Sequence, residues 1–126
     1  MKNRILIDTD VVIDFLKGVN KAVKYIKSHS DEIVLSVITV SELYAGVKDD
    51  EKQELDEFIG LFPVFPVTTE IAKKGGLHKR DYFKSHSVGL ADGIIAATTE
   101  THDVDLKTLN TKHYPMLKGL KPPYFK

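Results

Sequence analysis

Asp8 closes the apolar run Ile5-Leu6-Ile7, and Asp10 follows two residues later. A short apolar run bounded by polar residues is the pattern of a fully buried parallel strand. Asp8 then stands at the carboxyl end of a strand, where open α/β sheets hold their ligands. Glu42 and Asp92 are further acids for which a structural role is hard to supply. Three and four residues from Glu42 lie Ile38, Thr39, Ala45 and Gly46, none of them a cation. No ion pair along a helix therefore accounts for Glu42. Asp92 has Gly89, Ile95 and Ala96 at the same offsets. Its ordinary explanation is the ~0.3–1 kcal/mol that a first-turn Asp gains from the helix dipole. Carboxylates gathered from three elements would repel one another, and a raised pKa on at least one is the expected response. A hard divalent cation resolves that conflict, because Mg²⁺ takes oxygen ligands and is held by one or two carboxylates plus substrate phosphates. Such a site suits phosphodiester hydrolysis, the metal activating water and stabilising charge on the phosphate.

The acids need elements to carry them. Thr9 or Asp10 can cap a helix in which Val11, Val12, Ile13, Phe15 and Leu16 lead to Gly18 as a C-terminal stop. Residues 20–28 read as a second helix, with Ala22, Val23 and Ile26 inward and lysines outward. Ile33 to Leu35 form a second buried strand. Val40, Leu43, Tyr44 and Val47 then recur at helical spacing, which puts Glu42 on a helix over 39–47. The charged segment 49–61 predicts a helix with Leu55, Phe58 and Ile59 as its inner stripe. Residues 62–67 make a brief strand between prolines, short or at a sheet edge. Thr68 or Thr69 caps the next helix, with Glu70 in its first turn. Gly75 and Gly76 inside that helix each cost ~1 kcal/mol against alanine, so close packing along that side is expected. Residues 90–102 form the most apolar helix, which Asp92 begins, and 104–109 a last strand. Strands alternating with helices imply a mainly parallel sheet covered on both faces. The expected fold is α/β, a three-layer α/β/α sandwich, with residues 1–126 as one domain.

Composition excludes several classes of function. With 42% hydrophobic and 29% charged residues over 126 positions, the chain reads as soluble and globular. There is no cysteine, so disulfides and thiolate chemistry are excluded. Asp8 and Asp10 interrupt the N-terminal apolar stretch too early for a signal peptide. No run approaches the ~18 apolar residues of a membrane span, so a cytoplasmic protein is expected. Basic and acidic residues balance at 18 each, which gives no basis for a bulk attraction to polyanions. The charges are nevertheless segregated: Lys17, Lys21, Lys24 and Lys27 form one cluster, and acids dominate 49–57. Solvated helix faces account for each cluster, and together they permit a basic rim around a local acidic site. The chain carries none of the glycine-rich phosphate loops, no H-E-x-x-H and no G-x-S-x-G, and its five histidines lack ligand spacing.

Four ordered blocks carry a resemblance that spans nearly the whole chain: Ile5-Leu-Ile-Asp-Thr-Asp-Val-Val-Ile13, Ser41-Glu-Leu-Tyr-Ala-Gly46, Leu90-Ala-Asp-Gly-Ile-Ile-Ala-Ala-Thr98 and Leu106-Lys-Thr-Leu-Asn-Thr-Lys-His-Tyr114. In this order they resemble the signature blocks of PIN domains, and more narrowly of VapC-type toxins of prokaryotic toxin–antitoxin pairs. The resemblance implies the same sandwich and a Mg²⁺- or Mn²⁺-dependent endoribonuclease. The family's first acid falls on Asp8, its second on Glu42 and its third on Asp92, which makes these three the implied metal ligands. Its fourth position, often an acid, falls on Asn110, whose neutral oxygen weakens a second metal position. A one-metal enzyme is expected, with Asn110 orienting water or metal and Asp10 as an auxiliary acid.

Two alternatives are set beside this one. Asp8-Thr9-Asp10-Val11-Val12 also fits the D-x-D-x-[TV] opening of haloacid-dehalogenase-like phosphatases, for which Asp103 and Asp105 are the only candidates for the required acidic pair. A catalytically silent binding module of the PIN fold is the other. The toxin resemblance implies RNA as substrate and a small antitoxin that masks the site. Its helix would lie in an apolar groove formed by helices between residues 11 and 61, with Phe15, Tyr25, Tyr44 and Phe58 as candidate lining. A basic partner terminus, Arg or Lys, would suit the adjacent carboxylates. A two-fold homodimer is expected as the commonest symmetric assembly.

Overall fold

The structure is a computed structural model that describes residues 4–126. Four parallel strands run in the order β3-β2-β1-β4. They are β1 (Ile5–Ile7), β2 (Ile33–Ser36), β3 (Val64–Phe65) and β4 (Asp105–Lys107). Leu6 pairs with Val34 on one side and Leu106 on the other, which fixes β1 in the middle of the sheet. The helices are α1 (Thr9–Leu16), α2 (Asn20–Ser28), α3 (Val37–Ala45), α4 (Lys52–Ile59), α5 (Thr69–His86) and α6 (Leu90–His102).

Strand alternation divides the core into two layers. Ile5, Ile7, Ile33 and Leu35 face one side and pack with Val11, Val12 and Ile26 of α1 and α2, Leu43 of α3, and Leu55 and Phe58 of α4. Leu6, Val34 and Leu106 face the other, against Ile95 and Ala96 of α6 and the ring of Tyr114. The α/β/α sandwich expected from the sequence is the fold observed.

Several boundaries move for identifiable reasons. Asp8, not Thr9 or Asp10, is the N-cap of α1: it stays extended at φ −76° and accepts the Thr9 N–H. Ser36 caps α3 through the Ile38 N–H, so that helix starts at Val37, two residues early. The segment 49–61 breaks into a 3₁₀ turn, Asp49–Glu51, followed by α4. The strand over 62–67 shrinks to Val64–Phe65, because Pro63 and Pro66 have no N–H to pair. The last strand is likewise shorter than expected, ending at Lys107.

The glycine pair divides its duties. A Cβ on Gly75 would come within 2.6 Å of Ile94 on α6, whereas one on Gly76 would meet nothing within 4 Å. Only Gly75 is therefore the contact that brings α5 against α6. Gly93 answers it from α6, and next to Gly93 stands Asp92.

Candidate active site

Asp8 leaves β1 at its carboxyl end and turns directly into α1, which places its carboxylate over the sheet. Its side chain is fully spoken for. Oδ1 accepts the Thr9 N–H at 2.8 Å, and Oδ2 accepts the Thr108 hydroxyl at 2.9 Å and the Tyr114 hydroxyl at 2.8 Å. The residue is buried, and burial holds its pKa above the ordinary 3.8 despite the three donors, with the charge of Asp92 adding to the rise.

Asp92, in the first turn of α6, reaches the same point from the opposite layer. The Tyr114 hydroxyl that donates to Asp8 also stands 3.3 Å from Asp92 Oδ1. Burial, reinforced by the charges of Asp8 and Asp92, pushes the Tyr114 phenol far above its usual range, so it remains a proton donor at any working pH. Asp10 joins from α1. Its Oδ2 accepts the Leu109 N–H at 3.0 Å and lies 3.3 Å from Thr108 Oγ1. Burial and the neighbouring Asp8 charge raise its pKa to about 6. Its other oxygen, Oδ1, is buried with no hydrogen-bond partner among the described residues.

The remaining expected residues are placed at the margin. Glu42 is exposed on α3 and is tied to the centre through Thr9, whose hydroxyl donates to Glu42 Oε1 at 2.6 Å. Asn110 starts the 3₁₀ turn Thr111–His113, where its Nδ2 donates to His113 Nδ1 at 3.1 Å. That His113 nitrogen lies 3.6 Å from Asp92 Oδ2. Asp105 pairs in register with Ile5, at the opposite end of the strands from Asp8. Asp103 caps the end of α6. Neither supplies the acidic pair that a haloacid-dehalogenase-like phosphatase needs.

Sequence reasoning gave Thr108, Tyr114, His113 and Thr9 no role in the site. For the first three the signal was present in the quoted block Thr108-x-Asn110 with its following His-Tyr, and for Thr9 in its position between two acids.

The donor set fits a hard cation. Among the described residues no three His, Asp or Glu side chains form a closed cage. Mg²⁺ does not require one, since it keeps most of its waters and takes one or two carboxylates. The unpartnered Asp10 Oδ1, and the burial that raises the pKa values of Asp8 and Asp10, make the charged form of these acids costly in the protein alone, a cost that a cation would offset. Asp8 and Asp92 are the residues that would hold the ion, with Glu42 and Asp10 beside them.

Tyr114→Phe tests the hydroxyl bridge without changing the ring. Loss of a hydrogen bond to a charged group is expected to cost about 1.5–3 kcal/mol. Urea unfolding of the metal-free protein reads this directly, and an unchanged midpoint would mean that Asp8 does not depend on the bridge.

Beside the carboxylates, α1, α3 and α4 enclose a groove lined by Ile13, Leu16, Leu43, Val47 and Leu55, with Glu42, Glu51 and Glu54 at its rim. Its lining corrects the aromatic set expected from the sequence. Phe58 is buried in the core against Phe15 and Phe62. Tyr25 stacks on His29 elsewhere on the molecule. Tyr44 turns its hydroxyl to Asp56. Aliphatic residues one to three positions from Phe15, Tyr44 and Phe58 line the groove instead.

Comparison with known proteins identifies the family. The chain is 39% identical over 123 residues to Ribonuclease VapC10 of Mycobacterium tuberculosis, an alignment covering 95% of this chain and 92% of that protein. A toxin-antitoxin complex from Klebsiella pneumoniae superposes with a TM-score of 0.83 at 26% identity, covering 97% of this chain and 99% of that one. FitAcB from Neisseria gonorrhoeae superposes at 0.77 with 27% identity, covering 97% and 99%. The PIN domain model matches residues 5–115, which include every carboxylate of the site, and the chain belongs to the PIN domain family.

Proposed function

We propose that the protein is a metal-dependent endoribonuclease, a single nuclease domain acting in the cytoplasm as the toxin of a toxin–antitoxin pair. The observation that carries this reading is the meeting of Asp8 and Asp92 on one buried tyrosine hydroxyl at the carboxyl end of β1. The ribonuclease and toxin–antitoxin names of the relatives support it.

A divalent ion, Mg²⁺ or Mn²⁺, would be held by Asp8 and Asp92 with Glu42 nearby, and would supply activation of water and stabilisation of charge on the phosphate. The chain's own residues do the positioning. Thr9, Thr108 and Tyr114 lock the Asp8 carboxylate in one orientation, and Thr9 also restrains Glu42. Asn110 sets the His113 ring beside Asp92. Asp10 contributes negative charge close to Asp8 without reaching open solvent freely.

The aliphatic groove with its acidic rim suits an amphipathic antitoxin helix that ends in Arg or Lys. A two-fold homodimer would set two sites along one face. Among the described residues, no helix is long and apolar enough to cross a membrane.

Purified free of its partner, the protein is expected to cleave single-stranded or loop RNA with Mg²⁺ or Mn²⁺ and to stop when EDTA is added. Cleavage that persists in EDTA would overturn the metal requirement. No cleavage under any divalent ion would favour the silent binding module.

A further inference from the structure

The two sides of the carboxylate centre differ in charge. On the groove side stand Glu42, Glu51 and Glu54 against the single Lys17. On the other side, the end of α5 and the turn at 111–113 border an open depression of about 560 Å³ whose lining contains His86, Lys112, His113 and Pro115 and no carboxylate. His113 belongs to both places, since its ring lines this depression while its Nδ1 lies 3.6 Å from Asp92. The depression therefore adjoins Asp92 through His113. The His86 ring is held in place by Ser85, whose Oγ lies 2.7 Å from its Nδ1.

A polyanion that places one phosphate at Asp8 and Asp92 must extend over one of these sides. The acidic rim repels phosphates, whereas Lys112 attracts them. Imidazole rings and a proline give flat apolar area for a base to stack on, the way single-stranded RNA is bound without sequence readout. We propose that this depression is a nucleotide subsite: the base next to the scissile phosphate lies against the His86 and His113 rings, and its phosphate meets Lys112. The subsite rests on the endoribonuclease reading and adds to it the path of the strand. It also divides the surface, leaving the groove on the acidic side to a basic protein segment.

Fluorescence anisotropy with a labelled single-stranded oligoribonucleotide in EDTA tests this without any turnover. Lys112→Ala is expected to weaken binding about tenfold at low salt and to lower the slope of log K against log salt by about 0.7, one single-strand phosphate contact. His86→Ala is expected to weaken binding about tenfold with an unchanged salt slope, and His86→Phe to restore it, because a phenyl ring replaces the stacking surface. Lys27→Ala, an exposed lysine on α2, serves as the control and should bind as the unmodified protein does. Lys112→Ala and His86→Ala proteins that bind RNA normally would overturn the subsite while leaving the nuclease reading intact. An unmodified protein that binds no RNA would overturn both. In the cleavage assay the same two variants are expected to raise KM with kcat within about twofold; a fall in kcat alone would overturn a binding role.

Discussion

Asp8→Asn should abolish RNA cleavage and at the same time raise the melting temperature of the metal-free protein at neutral pH. The loss follows from the proposed role of Asp8 as a ligand for the ion. A bound metal contributes several kcal/mol to stabilising the transition state, so turnover should drop by at least about 10²–10³-fold. The gain in stability follows from burial. The folded-state pKa of Asp8 lies above its ordinary 3.8, so ionising it costs more in the folded chain than in the unfolded one. The stability linked to Asp8 is thus fully present below pH 3.8 and is lost as pH rises through the folded value. The variant has no such loss, and its advantage over the unmodified protein should grow from pH 4 to pH 7. Asparagine also keeps the hydrogen bonds. Its oxygen can accept from Thr9, and its amide can donate to Thr108 and Tyr114, hydroxyls that both donate and accept. Thermal melts in EDTA across this pH range, beside cleavage assays in Mg²⁺, read both effects. An Asp8→Asn protein with full turnover, or one less stable at pH 7 than at pH 4 relative to the unmodified chain, would refute this account. Asp92→Asn should also lose activity.

Gly93→Ala is expected to be the most destabilising single methyl in the protein. Its Cβ would lie 2.4 Å from the Gly75 carbonyl oxygen and 3.3 Å from the Gly75 carbonyl carbon. The obstacle is backbone, which no rotamer change can relieve, so α5 and α6 must separate. Alanine's better helix propensity returns up to ~1 kcal/mol. Overpacking against a rigid neighbour costs more than that, and a net loss of about 3 kcal/mol is expected. In a chain of this size the melting temperature should fall by roughly 10 °C. Activity should fall as well, since Asp92 is the adjacent residue on the displaced helix. Gly76→Ala is the contrasting change, with nothing within 4 Å of the added carbon, and is expected to stabilise slightly. If both substitutions behaved alike, the close approach of α5 and α6 at Gly75 and Gly93 would be wrong.

These expectations tie the packing of the second layer to chemistry in the first. Asp8 comes from the central strand and Asp92 from a helix on one face of the sheet. Their separation is set by how closely α6 approaches, and that depends on two glycines. Tyr114 then fills the space between them, buried, with its hydroxyl on both acids.

The sequence by itself determined the sandwich and pointed to Asp8 and Asp92, the two acids that meet on Tyr114. A buried run ending in Asp, apolar residues at helical spacing, and strands alternating with helices are local signals, set by the periodicity of each element. Four ordered blocks were enough to imply the family. What only the tertiary structure decided is how the acids are held. Thr108 and Tyr114 are 100 and 106 residues from Asp8, and nothing periodic links them to it. They arrive there because β4 pairs with β1 at the sheet edge and returns the chain over the end of Asp8's strand. The groove was also misread for its lining. Helical spacing says which residues share a face, but all of Leu43, Leu55 and Phe58 are core, and which of them also floor the groove depends on how α1, α3 and α4 pack together, which no single segment encodes. Strand and helix ends fell where a side chain or a proline settled the terminal N–H groups, as Asp8 and Ser36 do for their helices. Short-range hydrogen-bond chemistry made the elements legible one at a time; long-range packing decided which of their polar atoms would meet.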